Sequence, residues 1–75
     1  MSVKTITEGG RQLTVQTLER AGPSGTTYWQ GRAMFRIADG RARADVVTRT
    51  RHLTRESAES AAIALARENG WISDP

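Results

Sequence analysis

The sequence predicts an α+β domain: an antiparallel β-meander of three to four strands with one C-terminal α-helix packed on one face. Three observations predict it. Asp39-Gly40 stands between two runs that alternate apolar and polar residues. Gly9-Gly10 divides two shorter β-prone runs. Ala58, Ala61, Ala62, Leu65 and Ala66 then recur at helical spacing between Thr54 and Gly70. Asp-Gly and Gly-Gly supply the positive φ that a two-residue hairpin turn requires. Consecutive antiparallel strands followed by a helix give the order β-β-β-β-α.

The first strand is expected over Val3 to Thr7 and the second over Gln12 to Arg20. A turn at Gly9-Gly10 pairs Glu8 with Arg11, Ile6 with Leu13 and Lys4 with Val15. Leu18 falls out of phase with Leu13 and Val15, which predicts a bulge or a twist near Thr17, or a strand end covered on both faces. Residues 21–27, Ala-Gly-Pro-Ser-Gly-Thr-Thr, read as a loop. This loop lacks the GxxxxGK[ST] pattern of a phosphate loop.

The main hairpin is expected over Tyr28 to Ala38 and Arg41 to Thr50. With Asp39 and Gly40 at its turn, Ala38 faces Arg41, Ile37 faces Ala42, Arg36 faces Arg43, Phe35 faces Ala44, Met34 faces Asp45 and Ala33 faces Val46. Period-two alternation separates two unlike faces. Trp29, Ala33, Phe35, Ile37, Ala42, Ala44 and Val46 form the apolar one. Tyr28, Arg32, Met34, Arg36, Arg41, Arg43, Asp45, Val47 and Arg49 form the basic one. Gly31 within the first of these strands marks a bulge or a close backbone approach.

Thr54 suits an N-cap, Glu56 suits the first turn, and the helix is expected from Arg55 to Asn69. Gly70 suits the left-handed position that stops it, with Trp71 and Ile72 folding back on the last turn. The tail Ser73-Asp74-Pro75 is expected to be loose. The predicted core is Ile6, Leu13, Val15, Trp29, Ala33, Phe35, Ile37, Ala42, Ala44, Val46, Leu53, Ala58, Ala61, Ala62, Leu65 and Trp71.

Seventy-five residues make one small domain without cysteine, so neither a disulfide nor a thiolate metal site supports it. No run is apolar and long enough to span a membrane, and the first residues carry no hydrophobic signal segment. The expectation is a soluble cytoplasmic protein. Net charge is +3, but from Tyr28 to Arg55 seven arginines face two aspartates, a local balance of +5. Arginine suits phosphate and carboxylate, and a high-GC genome produces the same bias.

Catalytic chemistry finds little support. His52 is the only histidine, Asp39 is a turn residue, and Ser57 and Ser60 have no base partner legible in the sequence. No metal and no cofactor is expected. The expected function is a non-enzymatic binding module, with Arg32, Arg36, Arg41, Arg43 and Arg49, edged by Tyr28, contacting nucleic acid or another polyanion. The layout is similar to the helix-backed sheets of some plant transcription-factor and phage-integrase arm domains, a likeness that rests on no motif. The alternative is a protein-protein interaction or homodimerisation module, using strand edges and an apolar patch of Tyr28, Met34 and Val47.

Overall fold

A computed structural model describes residues 2–37 and 42–72. Four antiparallel strands, β1 (Ser2–Glu8), β2 (Arg11–Ala21), β3 (Thr27–Arg36) and β4 (Arg43–Val47), form one open sheet in sequential order. A single helix, α1 (Arg55–Glu68), follows and packs on one face. The α+β meander is thus the observed architecture. The turn at Asp39-Gly40, the Ala38–Arg41 pair and the tail from Ser73 to Pro75 lie outside the described residues. No helix among the described residues is long and apolar enough to cross a membrane.

The register of the first hairpin follows its turn chemistry. Gly9 and Gly10 have φ of 57° and 76°, which places Glu8 opposite Arg11, Ile6 opposite Leu13 and Lys4 opposite Val15. In the main hairpin Arg36 pairs with Arg43, Phe35 with Ala44, Met34 with Asp45 and Ala33 with Val46. Ile37 N–H donates to Ala42 O at 2.9 Å, continuing that register towards the turn. Residues 22–26 close on themselves, with Gly22 N–H donating to Thr26 O at 2.6 Å.

The expected bulge near Thr17 is absent, because β2 pairs without interruption on both sides. Thr17 takes the core position, buried opposite Gly31, and Leu18 turns to the outer face opposite Gln30. The last strand also ends earlier than Thr50. Gly31 N–H donates to the Thr48 side-chain Oγ1 at 3.0 Å, and Thr48 O accepts from Gln30 Nε2 at 3.2 Å. The side chain thereby replaces the backbone acceptor, and with Thr48 N–H donating to Gly31 O at 2.8 Å the regular strand pairing ends there. It resumes only at a bridge between Trp29 and His52, so residues 49–51 loop out.

The core lies between sheet and helix. Leu13, Val15, Ala33 and Phe35 meet Ala62, Ala66 and Trp71, with Ala58 buried on the same helical stripe. Gly31 allows this approach, since a Cβ there would lie 2.9 Å from Ala62 Cβ and closer still to Ala58 O. Thr54 caps the helix by accepting from Ser57 N–H at 3.1 Å. At the other end Trp71 N–H donates to Ala66 O and Gly70 N–H to Arg67 O, with Gly70 at φ 93°. This is a Schellman arrangement, and it carries Trp71 back into the core.

Five expected core residues lie outside the core, with Ala61 and Leu65 half-buried along a small groove beside α1. Leu53 is 91 % exposed, next to the bridge that fixes His52 on the sheet. Ala42 is exposed because it sits at the hairpin end beyond the helix. Trp29 is half-buried, since it pairs at the sheet end where the helix only begins. At the opposite margin, Lys4 and Glu8 of β1 meet Glu59 and Arg67 at 3.0 and 2.7 Å. Four strand residues span ~13 Å and eight helical residues ~12 Å, so the two ion pairs match when the helix runs along β1.

Candidate functional site on the open sheet face

Because core side chains occupy alternate positions, the intervening ones share the uncovered face of the sheet. The pairings set Thr5, Thr14, Met34 and Asp45 in one row across it. Val3, Gln16, Arg32 and Val47 form the next row. Towards the main turn, Thr7 pairs with Gln12, and Arg36 pairs with Arg43. The first two strands thus add threonines and glutamines to a face on which hairpin reasoning set the arginines with Tyr28, Met34, Asp45 and Val47. Their alternation, Thr5 and Thr7 then Gln12, Thr14 and Gln16, carries that signal in the sequence.

The expected site residues separate into distinct environments. Arg32 holds Asp45 through both carboxylate oxygens, with Nε donating to Oδ1 at 2.8 Å and Nη2 to Oδ2. These hydrogen bonds lower the Asp45 carboxyl below its ordinary value and raise the Arg32 guanidinium. Arg32 is therefore neutralised within the face. Arg36 and Arg43 are exposed and directly opposed, and neither forms an ion pair among the described residues. Opposed like charges on a sheet are mildly unfavourable, so an anion between them relieves repulsion. With Thr7, Gln12, Thr14 and Met34 they line a shallow concavity of about 880 Å³.

Tyr28 lies at the opposite end of the same face, with Arg51 Cζ 4.9 Å from its ring centroid. Arg49 lies beyond β4 and lines a small groove with Ala61 and Leu65 of α1, so the alternation that put it on the basic face stops at Val47. Arg41 lies outside the described residues.

One contact absent from the sequence reading sits at the helix start. His52 Nδ1 lies 2.9 Å from Ser57 Oγ, while Nε2 is buried without a hydrogen-bond partner. The pair is formed by the bridge that anchors His52 and the cap that orients Ser57, neither of which a spacing rule reveals. Among the described residues no group of three or more His, Asp or Glu gathers as a metal site would require.

Chemically, the concave end of the sheet offers two guanidinium forks and several neutral hydrogen-bonding side chains. That combination suits an anion with several oxygens. Comparison with known proteins finds no match to this chain, whether among protein-family models, curated proteins or solved structures.

Proposed function

We propose that the open sheet face binds a phosphate-bearing polyanion, nucleic acid in particular, centred on Arg36 and Arg43. The observation that carries this reading is the contrast between arginines on one face. Arg32 is matched by its own carboxylate, whereas the opposed pair Arg36 and Arg43 has none among the described residues. Two guanidiniums beside threonine and glutamine side chains can share the oxygens of successive phosphates. Such binding releases counterions and weakens steeply with salt.

Retention on immobilised DNA and RNA, measured across a salt gradient, tests the reading. The unaltered chain is expected to bind at low ionic strength and to elute as salt rises. Arg36→Glu/Arg43→Glu is expected to abolish retention while leaving the circular dichroism spectrum unchanged. Absence of salt-sensitive retention by the unaltered chain would rule the reading out.

A second reading rests on the apolar residues of the same face. Val3 is 58 % and Val47 43 % exposed, and they lie in one cross-strand row. In this alternative the face docks another protein chain, a second copy included. Sedimentation equilibrium separates the two, since an apolar dimer persists at high salt and a monomer over a wide concentration range excludes it.

A further inference from the structure

A second cationic cluster lies at the far end of the open face. Arg20 and Tyr28 are opposite each other across β2 and β3. Arg51 stacks over the Tyr28 ring at 4.9 Å, and Arg20 Nε donates to Gln30 Oε1 at 2.6 Å. Both guanidiniums are thus held in position, and neither meets a carboxylate among the described residues. Tyr28 and Arg36 lie eight positions apart on β3, which separates the two clusters by ~27 Å. Between them Arg32 is matched by Asp45, and the neighbouring residues Thr14, Gln16 and Gln30 are uncharged. The face is therefore positive at both ends and neutral in the middle.

From this spacing we infer that the ligand is a nucleic-acid duplex, held through its phosphates over about eight base pairs at ~3.4 Å each. The inference rests on the polyanion reading above and specifies the form of its ligand. Charge complementarity places phosphates at both clusters. Sites for single strands usually stack bases on aromatic side chains. The chain has four aromatic residues, and Tyr28 alone lies on the open face, with Arg51 over its ring. Phe35 and Trp71 are buried, and Trp29 belongs to the opposite face. A stiff duplex also presents phosphates at fixed separations, as two clusters joined through β3, by Tyr28 and Arg36, require. The neutral middle offers side chains that both donate and accept, suited to sugar and groove edges.

Fluorescence anisotropy with duplexes from about 5 to about 15 base pairs, and single strands of equal length, tests this. Affinity is expected to climb steeply once the duplex exceeds about eight base pairs, with single strands at least about tenfold weaker. Arg20→Ala/Arg51→Ala is expected to weaken the longer duplexes about tenfold and to reduce the salt slope by about two. Arg20→Lys/Arg51→Lys keeps the charge and is expected to retain the slope. If the alanine pair changes neither affinity nor slope while Arg36→Glu/Arg43→Glu abolishes binding, the two-ended site is overturned and the polyanion reading stands. Equal or tighter binding of single strands overturns the duplex assignment. Failure of the unaltered chain to bind any nucleic acid at low salt overturns the polyanion reading itself.

Discussion

Gly31 is the residue at which helix and sheet come closest. Its missing side chain is what permits the contact, because a Cβ there would press on the Ala58 carbonyl and on Ala62. Gly31→Ala is expected to lower stability by about 1–3 kcal/mol, read as a lower urea midpoint, since overpacking forces the helix outward. The sequence marked this glycine as either a bulge or a close approach, and only the helix's position decides between them. Thr17 and Leu18 show why single residues mislead. Leu18, out of phase with Leu13 and Val15, suggests a bulge, a twist or a strand end covered on both faces, yet β2 keeps its phase and buries Thr17 opposite Gly31. The narrow space under the helix takes the smaller threonine side chain, and Leu18 stays half-buried on the open face. Leu53 misleads for another reason. Its exposure follows from the bridge at His52, a long-range pairing that local pattern does not encode.

At the scale of elements, the hairpin register and the helix limits were legible because special residues fix them. The pairing expected from Asp39-Gly40 recurs down the described strands from Arg36–Arg43 to Ala33–Val46, and Thr54 and Gly70 bound the helix within one residue of expectation. The end of β4 was not legible, because a threonine side chain takes over a backbone acceptor there. The cross-element ion pairs were also hidden, as they join residues more than fifty positions apart. The Glu8–Arg67 pair gives the fold a weak acid sensitivity. Hydrogen bonds from Arg67 lower the Glu8 carboxyl, as those from Arg32 lower Asp45. A carboxyl lowered in the folded state stabilises it above the ordinary carboxylate range, and that contribution is lost as pH falls through the lowered value. Both pairs are about half exposed, so the effect is small. Glu8→Gln/Asp45→Asn is expected to flatten the fall of melting temperature on acidification. Asp45→Asn alone also releases Arg32, so retention on DNA at neutral pH is expected to strengthen.

Across the whole molecule, buried apolar side chains lie on one side of the sheet, and Trp71 closes that layer from the chain's far end. A domain of 75 residues has a stability of about 4–11 kcal/mol. Trp71→Ala is expected to cost about 3–5 kcal/mol, a large share of the total, and to leave a visibly unfolded fraction by circular dichroism. Leu53→Ala, at a residue of equally apolar type, is expected to change stability by less than about 0.5 kcal/mol. The fold class was readable because periodicity separates the two faces before any contact is known. The candidate site was readable only in part, since pairing Arg32 with Asp45 and bringing Arg51 to Tyr28 depend on geometry beyond a single hairpin. The one-sided core also separates two kinds of constraint on the chain. Residues under the helix answer to packing, whereas the threonines, glutamines and arginines opposite have no layer to fit. Their identities can drift or be redesigned without repacking the interior, so under the binding reading proposed above ligand preference is an adjustable trait on a fixed scaffold.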